Sequence, residues 1–250
     1  MLYEMRLKGR EKQGECSTIL YMCFFIMMLT VVSVNLLPLV YVFAAKPLIT
    51  SANKEALTFT VSVMLLIVST VCILCLSYGC DRFMLKRAEN ITAGAGDIFY
   101  YFRIKNSLKL ICFALRFSIV KSMVFVALSV PFIICAYTFY VLSADGFSAL
   151  VCSIFATFSI LFFLLSLGTY RKITSFLFTV RYRYIKGEYI NFRHLLSSAQ
   201  LDMKDKIHEI RALKRSFFGW FLICFFIAPI PYVWCYYRQT LACFASTQQI

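Results

Sequence analysis

The sequence predicts an all-α protein, a polytopic helical membrane bundle of about five spans with additional amphipathic helices at the interface. Of its 250 residues, 61% are hydrophobic and only 15% are charged, whereas a soluble domain is about 45–50% apolar and about 25% charged. The apolar runs are continuous: residues 18–45 and 56–78 contain no charged side chain, and a helix crosses a bilayer with about 20 apolar residues. Such runs lack the period-two alternation of a membrane β-strand.

The first two spans are predicted at residues 18–45 and 56–78. Four basic residues precede the first span, but its apolar run is about twice as long as the 7–15-residue core of a signal peptide. We therefore expect the run to stay in the protein as a span. Pro38 is expected to kink this helix, as prolines in membrane helices commonly do. A short polar loop containing Lys46 and Lys54 joins the two spans.

The apolar stretch after the next polar loop is too long for one span. As a helix it would extend roughly 55 Å, against about 30 Å of hydrocarbon. Lys105, Lys109 and Arg116 fall within roughly 40° of one another at 100° per residue. This pattern predicts a basic stripe on a helix that lies in the interface. The third span is then predicted after Lys121, at residues 122–141.

A turn joins the third span to a fourth one. Residues 143–146 read Ser-Ala-Asp-Gly, a composition typical of tight turns. The fourth span is predicted at residues 147–168, so that the two spans form an antiparallel hairpin.

The largest polar stretch, residues 171–215, is strongly basic. Its first part is aromatic and basic and is expected at the interface. Its second part is predicted to form an amphipathic helix, because apolar residues recur seven apart at Leu196, Met203, Ile210 and Phe217, with Ala199 and Leu213 between them. Two roles remain open for this helix. Its apolar face packs on the protein's own loops, or it is presented to a partner.

The last apolar stretch is interrupted by Pro229 and Pro231. We predict one kinked span at residues 216–237. The alternative is two short segments, the second of which turns back. All 250 residues are expected to form a single membrane domain, in which residues 79–121 and 171–215 are cytoplasmic or interfacial.

The basic residues orient the bundle. With the N-terminus inside, only Lys46, Lys54 and Arg238 of the 26 lysines and arginines fall on the opposite side, and Arg116 and Lys121 fall at the inner boundary. Cytoplasmic loops are enriched in basic residues, so a cytoplasmic N-terminus is predicted.

The net charge of +14 predicts anionic membrane lipids as partners, since basic residues near an anionic leaflet are attracted to it. A membrane or cytoplasmic protein partner is a second expectation, and no pattern indicates nucleic acid. The residues predicted to face lipid or another anion are Lys105, Lys109, Arg116, Lys121, Arg181, Arg183, Lys186 and Arg193.

No pattern predicts an enzyme. The twelve acidic residues lie in loops, near span ends or in the N-terminal segment, although acids inside spans usually mark ion pathways. There is no phosphate-binding loop or nucleophile elbow, and His194 and His208 stand too far apart for a metal motif. We therefore predict a non-enzymatic protein without cofactor, metal or catalytic residues. The alternative is a permease-type subunit energised by a separate ATPase, with residues 195–213 as its coupling helix.

Two stretches share a pattern with a known family. The first contains Gly79-Cys-Asp-Arg-Phe and then Asp97-Ile-Phe-Tyr-Tyr-Phe. The second contains, in order, Ser198, Met203, Lys204, Leu213, Ser216, Phe217, Trp220, Pro231, Tyr232, Thr240, Ala242 and Phe244. Together they resemble the bacterial multi-pass family called domain of unknown function 975, which is itself similar to the membrane domain attached to some glycerophosphodiester phosphodiesterases.

The resemblance implies a bacterial cytoplasmic-membrane protein and covers a third to a half of the chain. It implies no activity, because the family has none assigned and the phosphodiesterase domain is not in these residues. Two departures stand out. Asp205 follows Lys204 where the family has glycine, and the acidic residues that often close the family pattern are missing.

Overall fold

The structure is a computed structural model. It describes residues 2–14, 17–44, 51–175, 177–187, 191–203, 206–224 and 229–247, with side chains outside 33–44 and 51–58 and a few single positions. The described part is helical and contains no strand, which confirms the all-α fold class. Lys46 and the side chains of Pro38 and Lys54 lie outside the described part.

Four long helices form the bundle, and shorter helices gather at one of its ends. The long helices are α2 (Ser17–Ala44), α3 (Ser51–Ala88), α5 (Ile104–Ala144) and α6 (Ala149–Thr174). The shorter ones are α1 (Leu2–Gly14), α4 (Ala95–Ile98), α7 (Leu177–Lys186), α8 (Phe192–Met203), α9 (Ile207–Ser216), α10 (Phe218–Ile223) and α11 (Ile230–Thr247), with a 3-10 turn at Tyr100–Phe102.

Within the described residues, three segments are long and apolar enough to cross a membrane: Phe59–Ala88, Ile104–Ala144 and Ala149–Tyr170. Only 17%, 6% and 11% of their most apolar windows are buried inside the protein. Their apolar side chains therefore face outward, as membrane helices face lipid. The third predicted span, 122–141, lies within the second of these segments, and the second and fourth predicted spans, 56–78 and 147–168, overlap the other two. The first predicted span corresponds to α2, whose described apolar part, Thr18–Val32, is shorter.

The predicted hairpin between the third and fourth spans is confirmed. The turn has Gly146 at φ +72°, a conformation that glycine adopts without steric cost. Along the paired helices Ser166 Oγ donates to the Leu128 carbonyl at 2.5 Å, and the rings of Phe132 and Phe163 lie 5.2 Å apart.

Helix α5 corrects the predicted division of its apolar stretch. It is continuous from Ile104 to Ala144, so there is no separate interfacial helix before residue 122. No glycine or proline precedes Pro131 in this helix, and Lys105, Lys109 and Arg116 are exposed without breaking it. At 1.5 Å per residue α5 extends about 60 Å, twice the hydrocarbon thickness. A helix of this length cannot lie wholly within the hydrocarbon when it stands upright in a bilayer.

Helix α3 also extends further than predicted, since residues 79–88, assigned to a loop, continue the helix. Their side chains have core partners: Cys80, Phe83 and Met84 are fully buried. Gly79 permits this packing. A Cβ there would lie 2.6 Å from the carbonyl carbon of Ile98 and closer still to its oxygen, so α4 crosses α3 directly at this glycine.

The buried core lies where the short helices meet the end of α3 and the start of α5, and we call this region the head. Aromatic rings form its centre: Phe113 stacks on Tyr184 at 3.9 Å, and Tyr78 meets both rings edge-on. The head contains the starts of α2 and α5 and the end of α3. The basic ends of these helices therefore lie on one side of the bundle.

The apolar stripe predicted after residue 195 is buried inside the head. It is divided between α8 and α9. Five of its six predicted members are buried, namely Ala199, Met203, Ile210, Leu213 and Phe217. The sixth, Leu196, is only partly buried, and its neighbour Leu195 is buried instead. Most of them pack with Met5, Tyr236 and Phe244. Of the two roles left open, packing on the protein's own elements is the one that the structure shows.

The single span predicted at residues 216–237 is wrong, and its two-segment alternative describes the structure. The Phe217 and Tyr237 rings lie 5.2 Å apart, and the Trp220 and Tyr232 rings lie 6.0 Å apart. In one continuous helix Phe217 and Tyr237 would be about 30 Å apart. Helix α11 instead folds back into the head, where residues 239–245 are all buried.

Candidate functional site

The eight predicted lipid-facing residues occupy different environments. Lys105, Lys109, Arg116 and Arg193 are exposed. Lys121 is half-buried, with Nζ 4.3 Å from the centre of the Phe117 ring. Arg183 and Arg181 are partly buried on α7, and Lys186, at the end of α7, forms an ion pair with Glu89 at 2.8 Å. The structure therefore does not join all eight residues into one surface.

Arg181 was predicted to face lipid or another anion, but it takes part in an ion pair inside the head. Its Nε contacts Asp81 Oδ2, and its Nη2 donates to Ser77 Oγ at 2.8 Å. Its guanidinium also stacks 4.1 Å from the centre of the Tyr78 ring. Asp81 therefore balances part of the positive charge at this position inside the head.

Arg238 approaches the same acid from the C-terminal helix. Its Nη2 lies 2.7 Å from Asp81 Oδ1 and donates to Ser77 Oγ at 3.0 Å and to the Ser77 carbonyl at 3.2 Å. The prediction that Arg238 lies on the opposite side of the membrane is wrong, because α11 folds back instead of crossing. Only Lys46 and Lys54 remain assigned to that opposite side.

Three helices position this group, which we call the Asp81 cluster and define as Ser77, Asp81, Arg181 and Arg238. Ser77 and Asp81 are four residues apart on α3 and so share one face of that helix. Arg181 comes from the middle of α7, whose Leu177, Val180 and Tyr184 are buried at helical spacing. Arg238 comes from the middle of α11.

The electrostatics of the cluster depend on one acid. The Asp81 side chain is only 2% exposed, and burial of an unpaired carboxylate would cost several kcal/mol. Burial lowers the pKa of Arg181, but the nearby charge of Asp81 and the neighbouring phenols outweigh it, so the net pKa is raised. Burial raises the pKa of Tyr182 well above its ordinary value, which keeps this phenol neutral. The described cluster thus combines one negative and two positive charges.

A cavity of about 510 Å³ opens beside the cluster. Asp81, Arg181 and Arg238 form its polar end. The rest of the wall is apolar or aromatic and comes from α7, α10 and α11: Phe178, Tyr182, Phe221, Cys224, Ile230, Val233, Trp234, Tyr237 and Leu241. The fold-back of α11 onto α10 creates this space.

Sequence reasoning missed this cluster. Asp81 was assigned to a loop and Arg238 to the other side of the membrane. One signal was available, since Ser77 and Asp81 stand one helical turn apart at the end of an apolar run. Nothing local in the sequence pairs them with residues more than 100 positions away.

A second ion-pair group lies on the neighbouring face of α3. Asp97 Oδ1 accepts from Lys86 Nζ at 2.7 Å and from Arg82 Nε at 3.4 Å, and Asp97 Oδ2 accepts from the Gly94 backbone N–H. Burial raises the pKa of Asp97, but these hydrogen bonds outweigh it and the net pKa is lowered. This group fastens α4 to α3.

Asp97→Asn is expected to lower the free energy of unfolding by about 1–2 kcal/mol at neutral pH, because it removes charged hydrogen bonds. A carboxyl whose pKa is lowered in the folded state contributes stability above its unfolded pKa of about 3.9, and that contribution is lost as pH falls through the folded pKa. The difference from wild type should therefore shrink in acid. Unfolding in detergent at pH 7 and pH 3 measures it, and an equal difference at both pH values would contradict the ionic role.

The residues that carry the family resemblance have structural contacts. Phe217, Trp220 and Tyr232 form the aromatic contacts between α10 and α11, and Pro231 lies in the first turn of α11. Ser216 Oγ donates to the Leu213 carbonyl, Thr240 Oγ1 donates to the Tyr236 carbonyl, and Phe244 is buried. These residues hold the fold-back that shapes the cavity.

Comparisons of the chain with protein-family models, with curated proteins and with solved structures found no match. The resemblance to the family of unknown function therefore stays a prediction based on residues alone.

Proposed function

We propose that this is a non-enzymatic integral membrane protein whose basic side engages anionic lipid headgroups, chiefly through Arg116 and Lys121. One observation carries the proposal, namely that α5 is a single unbroken helix. The proposal includes the bacterial cytoplasmic membrane as location and a cytoplasmic N-terminus, which the distribution of basic residues supports.

The continuity of α5 fixes the relative depths of its basic residues. If residues 122–141 fill about 30 Å of hydrocarbon, Lys121 lies at the boundary and Arg116 about 8 Å beyond it. This is the depth of the headgroup layer. Lys109 and Lys105 then lie about 18 and 24 Å beyond the hydrocarbon, in water.

The surroundings of Arg116 and Lys121 suit a membrane boundary. Leu115 and Ile119 are 58% and 56% exposed beside them, and lipid would cover these side chains. The Lys121 ammonium lies over the Phe117 ring, a cation–π contact at the edge of the head. Each basic residue at an anionic surface contributes about 1 kcal/mol.

Replacing both residues, in Arg116→Gln with Lys121→Gln, is expected to lower the enrichment of anionic over neutral lipid around the protein at least fivefold. The expected loss of about 2 kcal/mol in the free energy of lipid binding corresponds to a larger factor than fivefold. The measured enrichment is smaller because it also includes bulk lipid that does not contact these residues. The protein would be reconstituted in mixed phosphatidylglycerol and phosphatidylcholine, extracted in mild detergent, and its retained lipids quantified by mass spectrometry.

The matched control is Lys105→Gln with Lys109→Gln, which removes the same charge from the same helix outside the headgroup layer. Its lipid enrichment should stay within a factor of two of wild type. An equal fall in both double variants would favour an interfacial helix and contradict the depths proposed here. No fall in either variant would overturn the lipid role.

The permease-type alternative depended on residues 195–213 as a coupling helix, and their packing does not favour that role. A coupling helix presents a surface to its ATPase, whereas the apolar face of α8 and α9 is packed against α1 and α11. Co-purification in mild detergent still tests this alternative, since a stoichiometric ATPase partner would replace the present proposal.

A further inference from the structure

We propose that the cavity beside the Asp81 cluster binds one molecule of an anionic amphiphile, a single apolar chain that ends in a phosphate or carboxylate. The oxyanion would contact Arg181 and Arg238, and the chain would lie against the apolar wall formed by α7, α10 and α11. Neither Arg116 nor Lys121 lines this cavity, so the site is distinct from the lipid-facing surface proposed above.

Charge imbalance is the first argument. Asp81 neutralises one of two guanidinium groups whose side chains are 26% and 13% exposed. Among the described residues, Asp81 is the only acid that lines the cavity. Partial burial of a net positive charge is unfavourable without a counter-ion, so a ligand with one negative charge would balance the site.

Unused donors are the second argument. A guanidinium carries five N–H donors, but the hydrogen bonds made by Arg181 and Arg238 in the described part all use Nη2 and all end on Ser77. Beyond these, Arg181 Nε contacts Asp81 Oδ2, and Arg238 Nη2 lies 2.7 Å from Asp81 Oδ1. Both arginines therefore keep donors for an oxyanion, the group that they bind best in fork geometry.

The cavity wall is the third argument, and it decides between an inorganic anion and an amphiphile. The wall beyond the arginines contains Phe221, Val233, Trp234 and Leu241, and none of these side chains carries a positive charge that would bind a small anion. A volume of about 510 Å³ falls within the 300–1,000 Å³ of small-molecule sites. A neutral lipid would contact the apolar wall, but it would leave the positive charge of the arginines unbalanced.

The position of the cavity suits a ligand that arrives through the membrane. Asp81 stands three residues beyond Tyr78, where the predicted second span ends, and α3 is apolar from Phe59 onward. Leu222 and Ile223 of α10 do not line the cavity and are 62% and 46% exposed, so the element that forms one wall has apolar residues facing outward. When an amphiphile lies at the headgroup level, its oxyanion would be at the depth of the two arginines and its chain at the depth of the apolar wall.

The test is native mass spectrometry of the full chain in a neutral detergent, titrated with oleoyl-lysophosphatidate, monooleoylglycerol or inorganic phosphate. We expect saturable binding of one oleoyl-lysophosphatidate. Monooleoylglycerol should bind at least tenfold more weakly, and inorganic phosphate in tenfold excess should not displace the lipid. Equal binding of the neutral lipid, or displacement by inorganic phosphate, would overturn the proposal.

Two variants connect the binding to this cavity. Arg238→Gln leaves the Asp81–Arg181 pair balanced and should weaken oleoyl-lysophosphatidate at least tenfold, and Ile230→Trp, which narrows the cavity, should do the same. Arg103→Gln, at an exposed position that does not line the cavity, is the matched control and should bind as wild type does. Melting temperatures confirm that each variant is folded. Wild-type affinity in both cavity variants would overturn the proposal.

One variant tests the lipid-facing surface around Arg116 and the cavity site independently of each other. The Arg116→Gln, Lys121→Gln variant should keep its single bound oleoyl-lysophosphatidate while it loses the surrounding anionic lipid. Loss of both in that variant would assign the bound lipid to the surface and overturn the cavity site.

Discussion

Asp81→Asn is expected to lower the free energy of unfolding by about 3–5 kcal/mol, because removal of one partner from a buried ion pair leaves unbalanced charge behind. Here one acid faces both Arg181 and Arg238, and the asparagine would leave two buried cations beside each other. Thermal unfolding of the protein in detergent measures the effect as a large fall in melting temperature.

Asp145→Asn is the matched control, since it makes the same chemical change at the exposed turn between α5 and α6. It is expected to change stability by less than about 0.5 kcal/mol, as surface substitutions usually do. Equal melting temperatures for the two variants would mean that Asp81 does not hold α3, α7 and α11 together.

Gly79→Ala is expected to cost about 3 kcal/mol or more, at or beyond the upper end of overpacking changes. The added methyl would collide with the backbone carbonyl of Ile98, and a backbone group cannot rotate away as a flexible side chain can. α4 would therefore have to separate from α3, with loss of the contacts around Asp97. Melting temperature in detergent again gives the measurement.

Gly168→Ala serves as the comparison, because it also adds a methyl within a long helix, α6, but meets no atom within 4 Å. Alanine favours helix over glycine by up to about 1 kcal/mol, so this variant should match or exceed wild-type stability. A Gly79→Ala protein as stable as Gly168→Ala would contradict the close crossing of α4 over α3.

Much of the fold was predictable because membrane spans are local features. The hairpin of α5 and α6 follows from two apolar runs and a turn, all read within about 50 residues. The heptad spacing of Met203, Ile210 and Phe217 likewise predicted which face of those helices would be apolar, and these residues are buried. Period and composition were sufficient for these elements.

The errors arose where composition does not distinguish lipid from protein as the apolar environment. Residues 230–237 were included in a predicted span, yet they begin α11, which packs against α1, α2 and α3. α5 was divided because its length exceeds the bilayer, whereas a helix can continue into the water if a head packs against it, as Leu110 and Phe113 do here. The Asp81 cluster depends on these long-range contacts and was therefore missed.

The most direct test of the fold-back is a double-mutant cycle of Asp81→Asn and Arg238→Gln, followed by unfolding in detergent. If α11 returns to the head, the double variant should be more stable than Asp81→Asn alone, with a coupling of about 1–3 kcal/mol, because Arg238→Gln removes one of the two unbalanced cations. If residues 216–237 instead crossed the membrane, Arg238 would be about 30 Å from Asp81. The two effects would then simply add, and that result would contradict the structure described here.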